Sequence, residues 1–167
     1  VTATKNIPVI APICEKVVAV RHKNDEDYWI IVQLADTNLF HSYLLSCNGI
    51  DPSPVVSQAG MKVPAHAPAH VVNSIGYMNA SPNGRLVATA HRGLDSVELF
   101  DFDRVNGFLS LKASLDFSNN AGPYGVAFSP NSNLLYVGEF EHAKQEIFQY
   151  DLLAGAGINS SKIAIDS

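Results

Sequence analysis

The stretch SPNGRLVAT at residues 81–89, followed by VELFDFD at residues 97–103, decides the fold because it occurs twice. Its second copy reads SPNSNLLYV at residues 129–137 and QEIFQYD at residues 145–151, 48 residues further along the chain. A fixed period of about 20 to 50 residues is typical of repeat architectures. We therefore expect one structural unit to be built repeatedly along this chain.

A third, more diverged copy lies upstream. It consists of KVVAVRH at residues 16–22, a polar turn, YWIIV at residues 28–32 and FHSYLL at residues 40–45. Each copy reads as an apolar strand, a polar turn, a strongly apolar strand, a loop, an alternating strand, a turn and a short last strand. This order is typical of the four-strand meander of a β-propeller blade. The predicted fold class is all-β, with three four-stranded antiparallel meanders that form a partial propeller or half of a self-associated ring.

The repeat predicts where each strand lies. First strands are expected at 16–22, 76–81 and 124–129, second strands at 28–33, 85–91 and 133–138, third strands at 39–46, 96–103 and 145–151, and outer strands at 54–58, 108–115 and 161–166. Residues 6–10 are expected to form the outer strand of a preceding blade. One partial propeller domain then spans residues 1–167, divided into 1–13 (that outer strand and a linker), a blade at 14–60, a linker and blade at 61–117, and a blade at 118–167.

The turn residues agree with this assignment. Pro82 presets φ for a tight turn and Gly84 tolerates a positive φ, while Asn106-Gly107 and Asn48-Gly49 are hairpin signals after third strands. No stretch shows a sustained helical period with caps, so we expect almost no helix.

Cys14 precedes a first strand and Cys47 follows the third. These strands run parallel in a meander, so the two thiols are expected near opposite ends of the blade, too far apart for a disulfide.

Composition narrows the classes of partner. Apolar residues make up 47% of the chain and charged residues 16%, which indicates a soluble globular protein. The formal charge of −5 opposes attraction to nucleic acid. No run approaches the roughly 20 apolar residues that cross a bilayer, so no membrane insertion is expected. The chain starts with neither an initiator methionine nor a signal peptide, and we expect it to be processed or cut from something longer.

Several stretches resemble a bacterial family of seven-bladed propellers with lactonase- and WD-like repeats, found in secreted or surface proteins of gliding-type bacteria. They are EKVVAVRH at 15–22, DYW at 27–29, NSIGYM at 73–78, VELFDFD at 97–103 and YGVAFSP at 124–130. The resemblance covers about three blades. It implies a propeller fold and a secreted or cell-surface location, but no catalytic motif. A more distant resemblance, through SPNGR and the apolar strand after it, is to lactonase-type propellers of the phosphogluconolactonase class.

Three blades cannot close a ring, because closed propellers have about four to eight blades. Either the chain is a fragment that lacks further blades, or two copies complete a ring, or the blades form an open arc. An uncovered blade face would expose an apolar patch, so self-association or missing blades are the expected partners.

The candidate ligand site lies where second strands end. His91, Glu139 and Gln33 occupy equivalent places there, close to a central channel. With the neighbouring loop residues, a channel-facing set could bind a cation or polar ligand: His91, Arg92, Asp95, Glu139, Glu141 and His142. Loop ends of a propeller are also polar simply because they are exposed to solvent. Ligand binding by these residues is therefore a hypothesis.

Other candidate residues favour structural roles. His66 and His70 have a zinc-like spacing, but Pro68 between them forbids a regular helix. Asp101 and Asp103 share a strand face, and the match of Asp103 to Asp151 favours turn hydrogen bonding over acid–base work. The aromatic residues in strands are expected in the core: Trp29, Tyr43, Phe100, Phe102, Tyr136, Phe148 and Tyr150. Ser81 and Ser129 have neither a nucleophile elbow nor a partnered histidine.

Two functions remain at this stage. The favoured one is a non-catalytic interaction or scaffold module at the cell surface that binds a protein or glycan partner, with no catalytic residues, cofactor or metal. The alternative is a lactonase-type hydrolase in which His91, Glu139 and nearby acids line the channel and hold a divalent metal or act as acid and base.

Overall fold

The structure of the chain is a computed structural model, and it describes residues 8–64, 73–117, 122–140 and 146–166. Its strands are β1 (Ile13–Arg21), β2 (Tyr28–Leu34), β3 (Leu39–Ser46), β4 (Gly49–Ile50), β5 (Val55–Gln58), β6 (Met78–Ala80), β7 (Leu86–His91), β8 (Ser96–Phe102), β9 (Leu109–Asp116), β10 (Pro123–Phe128), β11 (Leu134–Glu139), β12 (Ile147–Asp151) and β13 (Ile163–Asp166). The other described residues form loops and short 3₁₀ turns. In these ranges no helix is long and apolar enough to span a membrane.

The strands form three antiparallel sheets that follow each other along the chain. Blade 1 contains β1 to β5, blade 2 contains β6 to β9 and blade 3 contains β10 to β13, each in meander order from its first strand outward. The predicted all-β fold of partial propeller blades is confirmed. Each described strand except the two-residue β4, which was not expected, lies within a few residues of its expected position.

Two details differ from the sequence-based expectation. Blade 1 has a fifth strand, because the two-residue turn after Ser46 lets Gly49 and Ile50 pair with the end of β3 before β5 pairs with its beginning. Residues 8–10, expected to belong to an outer strand, form no strand. Pro8 and Val9 instead line a cleft beside the β3–β4 hairpin, and Pro8 has no N–H with which to extend a ladder.

The turn between first and second strands repeats its chemistry as well as its sequence. In blade 2 the Ser81 hydroxyl accepts a hydrogen bond from the Leu86 N–H at 2.9 Å, and in blade 3 Ser129 does the same for Leu134 at 2.9 Å. Gly84 has φ of +70°, and Ser132 at the matching position has φ of +63°. The two turns therefore have one geometry, and both serines serve it.

Apolar side chains fill the two spaces between blades. We call the face of a blade that points to the next blade its front face, and the opposite one its back face. Val20, Trp29, Ile31 and Phe40 on the front of blade 1 pack against the back of blade 2. Leu99 and its neighbours on the front of blade 2 pack against the back of blade 3. The inner strands adjoin, and the Tyr77 N–H donates to the Tyr124 carbonyl at 2.9 Å.

The cysteines are both free, as predicted, with Cys14 buried and Cys47 exposed. The end of β3, which Cys47 follows, pairs with the start of β2. Ile13, next to Cys14, pairs with the end of β2. The thiols therefore lie at opposite ends of the blade.

Candidate functional site

Chemically distinctive residues gather at one end of the inner strands, where β1 begins and β7 and β11 end. We call this end the rim. It consists of a buried polar triad (Lys16, His91, Glu98), a row of aromatic side chains (Tyr77, Tyr124, Phe140) and a cleft between β1 and β6.

The triad bridges blades 1 and 2. The Lys16 ammonium lies 2.9 Å from His91 Nδ1, and His91 Nε2 lies 3.1 Å from Glu98 Oε2. The other Glu98 oxygen accepts the Met61 N–H at 2.8 Å. All three triad side chains are buried. Since an ammonium only donates, His91 accepts at Nδ1 and donates from Nε2, which specifies one neutral tautomer.

Burial controls the charge of the triad. Desolvation lowers the pKa of His91 to about 4; the hydrogen bond to Glu98 opposes this shift and the charge of Lys16 adds to it. Desolvation also lowers the pKa of Lys16 to about 8, while Cys14 and Glu98 pull it upward. At pH 7 Lys16 is therefore an ammonium and His91 a neutral imidazole. They adjoin the Glu98 carboxylate, both of whose oxygens accept hydrogen bonds.

Strand alternation brings the triad together. Thr89 pairs with Glu98 and His91 with Ser96 across β7 and β8, so all four project from the back face of blade 2. Gly60 leaves room for the carboxylate, because a Cβ there would lie 2.6 Å from Glu98 Oε1. The hydroxyls of Thr89 and Ser96 are buried without a hydrogen-bond partner among the described residues. The space between these blades is therefore apolar near Phe100 and polar towards the rim.

The aromatic row follows the rim from blade 2 to blade 3. The rings of Tyr77 and Tyr124 meet edge to face at 5.3 Å, and those of Tyr124 and Phe140 are 5.9 Å apart. The Arg92 guanidinium lies over the Phe140 ring, 4.3 Å from its centre. Gly76 precedes Tyr77 and lies against β7. A Cβ at this position would come within 2.4 Å of the Ala90 carbonyl oxygen, so the lack of a side chain lets the backbone before Tyr77 lie this close to β7.

A cleft of about 320 Å³ opens beside the row. Glu15 and Lys16 of blade 1 form one wall, and Gly76, Tyr77 and Met78 of blade 2 form the other. Tyr124 also contributes to its lining. The cleft combines apolar and aromatic surface with a few polar groups, as small-molecule sites do.

The structure places the sequence-predicted site residues in different settings. His91 is buried in the triad and does not lie in a wet loop. The Arg92 guanidinium lies over the Phe140 ring. Glu139 ends β11, and its backbone lies opposite Pro123 of β10 in the strand register. Asp95 accepts the Gly122 N–H at 3.0 Å. Glu141 and His142 lie outside the described residues, so ligand binding by the whole set stays a prediction.

Gln33, the equivalent position in blade 1, is buried in β2, and its side-chain amide finds no hydrogen-bond partner in the described part of the chain. The described residues also contain no cluster of three or more His, Cys, Asp or Glu side chains that could hold a metal ion.

The structure supports structural roles for several other candidates. Asp103 accepts the Val105 N–H at 2.8 Å and Asp151 accepts the matching Leu153 N–H at 2.9 Å. Asp101 pairs with Lys112 at 2.9 Å. Of the strand aromatics, Tyr136 is half-buried and the others are buried. His66 and His70 lie outside the described residues.

Sequence reasoning missed Lys16, Glu98 and the aromatic row. A lysine within the apolar run 13–20 was a usable signal, because an inward-facing charge needs a partner. Tyr77 and Tyr124 each adjoin a glycine near the start of an inner strand, but their packing against each other depends on how neighbouring blades meet.

A family model described as "Lactonase, 7-bladed beta-propeller" matches residues 53–156, which is more than half of the chain. The chain belongs to this lactonase-type propeller family. No curated protein matches it.

Solved structures share the fold of this lactonase-family chain at low sequence identity. A candidate 6-phosphogluconolactonase of Bacteroides fragilis has a TM-score of 0.58 and 17% identity, over 94% of this chain and 41% of that one. The periplasmic gluconolactonase PpgL of Pseudomonas aeruginosa has a TM-score of 0.52 and 16% identity, over 83% and 36%. The Cps50 (Swd1) propeller domain of Myceliophteria thermophila has a TM-score of 0.56 and 10% identity, over 89% and 39%. The match spans well under half of each of these structures.

Proposed function

We propose that this chain is a non-catalytic interaction and scaffold segment of a secreted or cell-surface propeller. Its open blade faces dock further blades of the same kind, and its rim is presented to a protein or glycan partner. The surface location rests on the sequence resemblance. The docking role rests on the front face of blade 3.

The 48-residue repeat allows that face to be compared with its covered counterpart. Leu99, on the front of blade 2, is 0% exposed under blade 3, whereas the matching Ile147 on blade 3 is 42% exposed. Ala88 and Ala90 are likewise buried, while the matching Tyr136 and Gly138 are only partly buried. Leu99 and Ile147 thus place a large apolar side chain at the same position, with a covering blade in one case and without it in the other.

The shape of the open face also fits another blade. Gly125, Ala127, Tyr136, Gly138 and Ile147 line a groove of about 400 Å³ beside the inner strands. On blade 1, Trp29 and Ile31 point to blade 2, so alternation turns Tyr28 and Ile30 to the back face, where Tyr28 is 41% exposed. One face that accepts the next blade and one that accepts the previous blade remain at the two ends.

The solution mass of the chain tests this docking role. Light scattering coupled to size exclusion should show concentration-dependent association above the 18.0 kDa of one chain, because a second copy is the only blade available. Ile147→Asp should abolish the association, since it places a charge on the open face. The control Val105→Asp changes a residue that is 55% exposed in the β8–β9 turn and should leave it intact. A monomer at every concentration would refute docking between copies of this chain, and association that Ile147→Asp leaves unchanged would refute docking through the front face of blade 3.

A second candidate is hydrolysis of a sugar lactone, which the family match favours together with the cleft beside Lys16. In this candidate Glu15, on the cleft wall, would activate water. Assays with gluconolactone and 6-phosphogluconolactone test it: turnover that Glu15→Gln abolishes would support hydrolysis, and no turnover above buffer would exclude it for these substrates.

A further inference from the structure

Two of the three side chains in the aromatic row are largely exposed to solvent. Tyr77 is 59% exposed and Phe140 is 50% exposed, although both contact Tyr124. Most other aromatic side chains in the strands are buried or half-buried, and Tyr28, on the open back face of blade 1, is the exposed exception. The rings of Tyr77 and Phe140 therefore reach solvent at the rim, where the inner strands of blades 2 and 3 fix their positions.

The neighbouring groups are polar and of mixed kind. The Glu15 carboxylate lines the cleft that Tyr77 and Tyr124 also line, and the Arg92 guanidinium lies on the ring of Phe140. In the cleft a carboxylate thus adjoins two tyrosine rings, and the guanidinium lies outside the cleft lining, at the Phe140 end of the row. A site of this composition suits a ligand that has both C–H faces and many hydroxyls.

The charges of the cleft disfavour an anionic ligand. Lys16 is the cation in the cleft lining, but its side chain is 2% exposed and its ammonium donates to His91. Glu15 is exposed there and repels a phosphate or carboxylate. A neutral ligand avoids this cost.

We propose that the aromatic row and the adjoining cleft bind a neutral sugar residue of a glycan. The C–H groups of the sugar ring lie on the negative faces of the aromatic rings, and its hydroxyls hydrogen-bond to Glu15 and the tyrosine hydroxyls. This inference specifies the partner class within the proposed interaction function, but it does not depend on the docking of further blades.

Calorimetric titration of the full chain with defined oligosaccharides tests the site. The neutral probes are cellohexaose, maltohexaose, mannohexaose and xylohexaose, and the anionic comparators are hexagalacturonate and 6-phosphogluconate. At least one neutral probe should bind, and Tyr77→Ala and Phe140→Ala should each weaken that binding about tenfold, as loss of an aromatic anchor does. Neither anionic comparator should bind as tightly.

Matched variants separate a loss of the site from a general loss of aromatic surface. Phe108 is 54% exposed and Tyr28 is 41% exposed, and neither belongs to the row, so Phe108→Ala and Tyr28→Ala should bind like the wild type. Circular dichroism should show every variant to be folded. The proposal is overturned if no neutral probe binds, if an anionic comparator binds more tightly, or if the row variants bind like the controls. Each of these results leaves the light-scattering test of blade docking unaffected, so the two proposals can fail separately.

Discussion

His91 is the central residue of the contact between blades 1 and 2. It accepts from Lys16 of one blade and donates towards Glu98 of its own, so a neutral imidazole connects two opposite charges. Breaking a buried network of this kind leaves an uncompensated charge and usually destabilises a protein strongly. The stability of this contact should therefore depend on the protonation of one residue.

Protonation of His91 in acid should lower the free energy of unfolding of the chain. The pKa of this residue is lowered to about 4 in the folded state, against 6.5 for an unperturbed histidine. Between these values the unfolded chain binds a proton that the folded chain does not, so stability falls as the pH drops from about 6.5 to 4. The full effect is about 3 kcal/mol. Urea unfolding measured across this pH range checks it.

His91→Gln is the control for the acid effect. Its amide can still donate to Glu98 but does not titrate, so the variant should show a shallower loss of stability over the same pH range, whatever its stability at pH 7. Carboxylates that do not contact His91 are common to both proteins and cancel in the comparison. Equal slopes for the two proteins would mean that His91 does not carry the effect.

Gly60 should tolerate alanine much less well than Gly155. Both glycines have positive φ, +70° and +59°, so the backbone strain of about 1 kcal/mol is similar. At Gly60 the new Cβ would also meet the Glu98 carboxylate at 2.6 Å, whereas at Gly155 nothing lies within 4 Å. Thermal unfolding should show a clearly larger loss for Gly60→Ala, and equal losses would contradict the tight packing around Glu98.

At the scale of the strands, the repeat predicts that truncating a side chain at matching positions of blades 2 and 3 lowers stability by different amounts. Leu99→Ala removes a fully buried side chain and should cost about 2 to 5 kcal/mol. Ile147→Ala changes the matching position on an open face and should cost well under half as much in dilute solution. Denaturant unfolding at low protein concentration measures both. Similar losses would show that the face of Ile147 is already covered.

Strand positions were the most predictable feature of the chain. Alternation and turn signals in β7 and β11 depend only on neighbouring residues, so the pattern alone located them. Residues 8–10, part of the outer strand expected at 6–10, are not assigned to a strand. That strand would need the preceding blade as its partner, so it stays a prediction. The short β4 was missed because two residues carry no period.

At the scale of the whole molecule, the two cysteines report on cooperative opening. Cys47 is exposed, whereas Cys14 is 0% exposed and its burial raises the pKa of its thiol. Ellman's reagent should modify one thiol per native chain and two in denaturant. Cys14→Ser should abolish only the slow, denaturant-dependent reaction. Rapid reaction of both thiols without denaturant would show that blade 1 is open.

The site was predictable only in outline. The equivalence of His91 and Glu139 pointed to the end of the blades where the triad and the aromatic row lie, because the repeat places second-strand ends on one side. The partners of His91 were not predictable, since Lys16 lies 75 residues away and on another blade. The order of Tyr77, Tyr124 and Phe140 likewise depends on the packing of neighbouring inner strands.

The sequence by itself determined the blade, its four strands, its turns and its repetition, because these follow from local alternation and turn chemistry that recur 48 residues apart in blades 2 and 3 and in a diverged copy in blade 1. The tertiary structure alone decided which face of each blade is covered, which polar side chains are buried together and which rings reach solvent. Those properties are set by contacts between blades. There, residues far apart in sequence lose their contact with water and pack against each other.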